Sequence, residues 1–419
     1  MEKGDSMAGL LYSAYQKFYS ALKNLQRFDK ENNFFDNISS LDSFLSEYRS
    51  ITFVLQKSLA HTPYIERYRE LAKEKFTDSW MNTQRVKTVH EHPVEFSKQI
   101  DVSIYLPFGK LVCLRRTFTV DNDIPLSSCQ EELKKYFCDV SEDEVFFSAK
   151  FSFIEKDSGK NIWNKLSAGI FLMGDLMETL YQEIAEQCSL CETLRKQIQE
   201  NALFHVPDDF LLVSDYVYYP RTDEFERAGR LAIVLGINGR KVANRMPITF
   251  LTEGKHFNYD GTAFGTFVLM HAIIPTLGKP FDIMPAILVV YGDGTYDLDT
   301  FHADIKTTVY RKLSEVAELI ETEDVKEVCF MNTYSVIPSS EEVPTVSKER
   351  LKLATHDILA FMKVDSDLNE TEYAFDSRYY NRVEYVACNM QHCRKDRLEI
   401  GKLNMMPIVY AFSKKREGV

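Results

Sequence analysis

The residues best suited to chemistry lie together in Trp80-Met-Asn82-Thr-Gln-Arg85-Val-Lys-Thr-Val-His90-Glu-His92-Pro93, where an arginine is followed by one histidine after four residues and a second after six. Histidine titrates near neutrality and can carry a proton in either direction. Arginine presents a planar, permanently charged fork that suits phosphate oxygens. Metal-free cleavage of an RNA phosphodiester needs both kinds of group. One moves a proton at the 2′-hydroxyl or the leaving oxygen, and the other holds the charge of the phosphorane. The spacing is a loose pattern, and Arg350-Leu-Lys-Leu-Ala-Thr-His356 also fits it, on a stretch that reads as a strand. Arg85 is distinguished by its setting, a helix end just before a proline.

Other groups with chemical reach are weaker candidates. Cys188-Ser-Leu-Cys191 has the CxxC spacing, and Cys388-Asn-Met-Gln-His392-Cys393 forms a second cluster. A zinc site drawing on both is conceivable in ligand type, but the first pair reads as part of an apolar helix and the two clusters fall in different halves. Buried thiols three residues apart are the simpler account, so neither a metal nor a cofactor is expected. Tyr216, Tyr218, Tyr219 and Arg221 could stack on and clamp a nucleotide, although tyrosines alternating on a strand more often form a half-buried sheet face. The sequence contains no Walker, dinucleotide-binding, GxSxG or HExxH motif, and Gly292-Asp-Gly294 and Gly261-Thr-Ala-Phe-Gly265 lack the strand-to-helix context of a phosphate cradle.

Helices must position Arg85 and its neighbours. Leu11, Tyr15, Phe18, Leu22 and Leu25 mark one face of a helix over 10–28. A second helix continues from a cap at Ser39-Ser40 through Leu41, Phe44, Leu45, Tyr48, Ile51, Leu55 and Leu59. Pro63 suits the first turn of a third, which runs through Tyr68, Leu71, Phe76 and Trp80 toward Arg85. A fourth, strongly apolar helix spans about 161–201. An up-and-down bundle buries these four faces together. Between the third and fourth helices the period changes to two. Strands 99–106 and 111–120 flank a Pro107-Phe108-Gly109 turn and are followed by a strand over 145–154. This reads as a β insertion at about 94–159.

After Pro207 the composition shifts to an α+β pattern. A strand over 210–219 and a hairpin at Asn238-Gly239 precede a glycine-rich connecting part, so 207–280 is the least determined stretch. Then come a hairpin, 286–301, about Gly292-Asp-Gly294, a helix over 304–323, and a strand over 325–336. A polar loop at 339–344 leads to strands over 350–361, 382–390 and 407–412. The expected architecture is α+β: a helical bundle with its insertion over 1–206, and an α+β domain with a mainly antiparallel sheet over 207–419.

The Arg85–His90 spacing at a bundle helix end resembles the HEPN superfamily, small helical bundles of which many are metal-independent ribonucleases. The resemblance covers the helices up to and including the motif, more loosely the long helix after residue 160, and extends to Arg49-Ser-Ile-Thr-Phe-Val-Leu-Gln56. It implies His90 as the acid/base, Arg85 as the phosphate clamp and His92 as an alternate. It also implies RNA as substrate and a composite site formed where two bundles pair in a homodimer. The expected role is then bacterial defence or toxin-type RNA cleavage. Val86 follows the arginine where active members often carry a polar residue, commonly asparagine. HEPN-like bundles that are catalytically silent act in dimerisation or partner recognition, so an adaptor protein is the alternative. The part over about 284–413 resembles an uncharacterised bacterial α+β domain, a resemblance that carries no function with it; the separate expectation is that this part binds a protein partner or regulator that controls the bundle.

Composition bounds both readings. The 419 residues carry 50 Lys and Arg against 62 Asp and Glu, a net charge of −12, which disfavours a general nucleic-acid coat or a polybasic membrane binder. Bound RNA would have to be met by a local basic site such as Arg85 and Lys87. No apolar run reaches the roughly 18 residues of a membrane span, no secretory signal is visible at the N-terminus, and the eight cysteines show no dense, regular spacing. A cytoplasmic location is the expectation.

Overall fold

The computed structural model describes residues 9–29, 32–76, 80–81, 83–84, 93–108, 110–120, 126–137, 140–199, 213–228, 246–249, 261–276, 283–338, 343–376 and 402–418. The chain is mixed α and β, and every strand pairing among these residues is antiparallel. No helix among them is long and apolar enough to cross a membrane.

The N-terminal helices are α1 (Tyr12–Leu25), α2 (Phe34–Leu59) and α3 (Ile65–Phe76). In α1 the buried positions Tyr15, Phe18, Leu22 and Leu25 keep the three-and-four spacing that makes one helical face. The start of α2 corrects the Ser39–Ser40 cap. Asn33 holds the cap, its side chain accepting from the Asp36 amide at 2.9 Å, and Ser40 instead donates back to the Asp36 carbonyl. The apolar run after residue 160 is two helices, α5 (Ile162–Ile184) and α6 (Ser189–Gln199), rather than one. Ala185 takes the left-handed conformation at φ 50°, and the Glu186 amide returns to the Tyr181 carbonyl at 3.3 Å, ending α5 without the glycine that would have signalled it. All five helices share one core with Phe96 and Phe153. Tyr48 donates to the Gly169 carbonyl at 2.7 Å, locking α2 to α5.

The first sheet contains β1 (Phe96–Phe108), β2 (Lys110–Val120), β3 (Val145–Glu155), β4 (Val213–Tyr219) and β5 (Glu224–Arg227), in the order β2-β1-β3-β4-β5. β1 and β2 pair as the expected antiparallel hairpin, from Lys98↔Val120 to Phe108↔Lys110, so Pro107 and Phe108 belong to the strand rather than to the turn. The insertion over 94–159 is not closed by itself, because β3 pairs with β4 from Val145↔Tyr218 to Lys150↔Val213. The sheet therefore joins chain from both sides of residue 207. One face carries Ile104, Phe147 and Tyr216 against α4 (Leu126–Phe137), a helix that the sequence reading did not anticipate.

The second sheet contains β6 (Met246–Pro247), β7 (Ala286–Tyr291), β8 (Thr295–Thr300), β9 (Val325–Val336), β10 (His356–Asp365) and β11 (Glu370–Asp376), in the order β11-β10-β9-β7-β8-β6. Helix α7 (Ala263–Thr276) covers one face. Helices α8 (Lys306–Thr322) and α10 (Lys402–Glu417) cover the other. Covered on both sides, β7 is apolar at every residue instead of alternating. Its hairpin turns through Gly294 at φ +80°, with Asp293 Oδ1 accepting from the Thr295 amide at 3.0 Å.

Two strand expectations are overturned here. Residues 407–412 lie inside α10, whose buried Met405, Ile408, Ala411 and Phe412 follow helical spacing. Short apolar runs do not by themselves separate strand from helix. The stretch 350–361 divides into a short helix, α9 (Ser347–Leu351), and the start of β10, so Arg350 and His356 stand on different elements. The expected hairpin at Asn238-Gly239 and the strand over 382–390 lie outside the described residues.

Candidate functional site

Arg85, His90 and His92 lie outside the described residues, but the chain is described on both sides of them. Trp80, Met81, Thr83 and Gln84 are helical, and the chain is described again from Pro93 into β1. Both flanks are held at the end of β3. Glu155, its last residue, is only 3% exposed. One carboxylate oxygen accepts from Trp80 Nε1 at 2.8 Å and from Gln84 Nε2 at 2.6 Å. The other accepts from Ser158 Oγ and Lys165 Nζ, which also bond each other at 2.7 Å. On the far flank the Lys156 amide donates to the Glu95 carbonyl at 3.0 Å, and Val94 enters the bundle core. Consecutive residues of one strand end thus fix the chain immediately before Arg85 and shortly after His92.

Burying a carboxylate is costly unless its oxygens are bonded. Burial alone would push the Glu155 carboxyl upward. The hydrogen bonds from Lys165, Ser158 and Trp80, with the Lys165 charge, outweigh it and hold the group below the usual carboxylate range. Lys165 also stands 5.4 Å from the centre of the Trp80 ring. The approach of α5 depends on a missing side chain. A Cβ on Gly169 would lie 2.5 Å from Met81 Cε and 2.6 Å from its Cγ. Gly169→Ala is therefore expected to destabilise the fold by about 1–3 kcal/mol through overpacking, measured by urea unfolding. The double variant with Met81→Ala should lose less than the sum of the two single changes, and full additivity would remove the contact as the cause.

The other sequence candidates resolve differently. Tyr216 stacks on Phe147 at 5.0 Å and Tyr218 on Phe225 at 4.6 Å, so the first pair of rings is covered and unavailable to a nucleotide base. Tyr218 donates to Asp223, Tyr219 donates to Glu226, and Arg221 pairs with Asp143 at 2.7 Å. Arg350 Nη2 reaches Ser347 Oγ at 3.1 Å, whereas His356 Nδ1 bonds Thr355 at 2.9 Å, so this second Arg/His match has separate partners. Among the described residues no cluster of three or more side chains could hold a metal ion. Cys388, His392 and Cys393 lie outside them.

Polar contacts that sequence reasoning missed tie the first sheet to the C-terminal elements. Arg311 of α8 forks onto Asp215 of β4, with Nε to Oδ1 at 2.9 Å and Nη2 to Oδ2 at 3.1 Å. Thr307 Oγ1 donates to the Tyr216 carbonyl at 2.7 Å. Glu144 accepts from both the amide and the hydroxyl of Ser347, at 2.9 and 2.7 Å, while Lys306 Nζ donates to the same hydroxyl at 2.8 Å. The partners that join the first sheet to these elements are some 90 to 200 residues apart in sequence, and no local motif signals them. No protein-family model matches this chain, and no curated protein or solved structure proved similar to it.

Proposed function

We propose that the helical half is a HEPN-like bundle that cleaves RNA without a metal, with His90 as the acid/base, Arg85 as the phosphate clamp and His92 as an alternate proton carrier. The observation that supports this reading is the anchoring at Glu155 and Lys156. A proton carrier and a charge clamp must be held to within a fraction of an ångström to be effective, and a buried carboxylate fixing Gln84 beside Arg85 is the kind of support such a pair needs. In this reading a second copy completes the site and the C-terminal elements control it through the α8 contacts at Asp215 and Tyr216.

Purified chain is expected to cleave RNA in chelator, and His90→Ala or Arg85→Ala to lower the rate by about 10²-fold or more. Activity that survives His90→Ala removes His90 from the mechanism. The net charge of −12 favours a second reading, a catalytically silent bundle used for dimerisation or partner recognition, because the overall field opposes a polyanion. Absence of cleavage together with a stable dimer in sedimentation would select it.

A further inference from the structure

The break after α5 changes the setting of the CxxC pair. The chain reverses at Ala185, and α6 begins at Ser189. The Cys188 carbonyl accepts the first bond of α6, from the Glu192 amide at 3.0 Å, which makes Cys188 the N-cap residue rather than part of a helix interior. Its sulfur occupies the place where a serine or aspartate oxygen commonly caps a helix. Gly9, just before α1, packs closely against Cys188. The Gly9 contact depends on the absence of a side chain, since a Cβ there would lie 2.6 Å from Cys188 Cβ and 2.5 Å from Glu186 Oε1. Glu186 completes the frame, accepting from the Cys188 and Leu11 amides at 3.2 Å each.

The two thiols are free but differ in surroundings. Cys188 is partly exposed, whereas Cys191 is fully buried in the bundle core. Burial alone would raise both. At Cys188 backbone hydrogen bonds and the neighbouring thiol reverse this and bring the thiol below its ordinary value. At Cys191 burial dominates and the thiol is held well above it. A reachable thiolate at a helix N-terminus with a buried partner three residues on is an arrangement suited to attack and resolution.

We propose that Cys188 and Cys191 are a thiol–disulfide exchange pair acting on low-molecular-weight disulfides, with Cys188 as the attacking sulfur and Cys191 as the resolving one. The Cys188 thiolate attacks one sulfur of RS–SR, the S–S bond breaks, and RS⁻ leaves to take a proton from water. Cys191 then gives its proton to water and attacks Cys188 Sγ, displacing the second RS⁻, which is protonated in turn. One small disulfide is reduced to two RSH, and the protein dithiol loses two electrons to become the Cys188–Cys191 disulfide. Cα atoms three residues apart in a helical turn lie about 5 Å from each other, within the Cα span of a disulfide. This activity is independent of Arg85 and His90.

The test uses the full chain, reduced and then equilibrated with oxidised glutathione. Non-reducing peptide mapping should show a Cys188–Cys191 link, and Cys191→Ser should accumulate glutathione on Cys188. Because Cys191 is a core residue, the wild-type chain supplies a second measurement. At neutral pH, iodoacetamide should modify Cys188 about tenfold faster than the partly exposed Cys113. Equal alkylation rates, or full equilibration without the Cys188–Cys191 link, would overturn the proposal.

Discussion

Asp215→Ala is expected to lower the free energy of unfolding by about 3–5 kcal/mol, the range for removing one partner of a buried ion pair. The Asp215 and Arg311 side chains are only 5% and 11% exposed, and their contact is a two-pronged fork. Truncating the aspartate leaves the guanidinium without its main acceptor where water is scarce. Glu315, 3.0 Å from Arg311 Nη1 one turn along α8, offers partial compensation and favours the lower end of the range. Urea unfolding of Asp215→Ala, Arg311→Ala and the double variant measures this directly. The double loss should be well short of the sum, because the cost lies in the uncompensated partner. Replacing both residues by apolar ones of similar volume should recover part of the stability. Additive single losses would show that the two side chains do not act as a pair.

That pair also illustrates which parts of the fold were legible in advance. The strands flanking Gly109 and the hairpin 286–301 alternate or turn through residues near one another in sequence, and local patterning identifies them. The pairing of β3 with β4 joins segments that share no local signal, so the insertion read as a separate unit. Ala185 ended α5 in a conformation usually taken by glycine, and the two helices therefore read as one. In α10 the run Pro407-Ile-Val-Tyr-Ala-Phe412 carries no polar alternation, and tertiary packing on the second sheet decides in favour of helix. For the candidate site, the residue types at Arg85, His90 and His92 were visible, because chemistry follows from side-chain identity. Their support was not. Gln84 and Glu155 are 71 residues apart, and nothing near either names the other.

Glu155 is where that support can be tested. Glu155→Ala removes the acceptor of four donors at once and leaves Lys165, Trp80 Nε1 and Gln84 Nε2 without it. The expected cost is about 3–5 kcal/mol, since the partly buried Lys165 charge loses its partner and the N–H groups of buried Gln84 and partly buried Trp80 lose their acceptor. The acid dependence gives the sign independently. The folded Glu155 carboxyl lies below the ordinary value of 4.5, so the unfolded chain binds this proton more readily than the folded one. Its contribution is fully present above the ordinary value and is lost as pH falls through the lower, folded one. Wild type should therefore lose stability on acidification over that interval, and Glu155→Gln should lose less, because it no longer titrates. Since Gln84 is one of the released donors, amide exchange at 83–84 should accelerate in both variants under conditions where the core of α5 stays protected. If stability and the acid transition are unchanged in Glu155→Gln, Glu155 does not hold the chain that leads into Arg85, and the structural support for a catalytic Arg85–His90 pair is withdrawn with it.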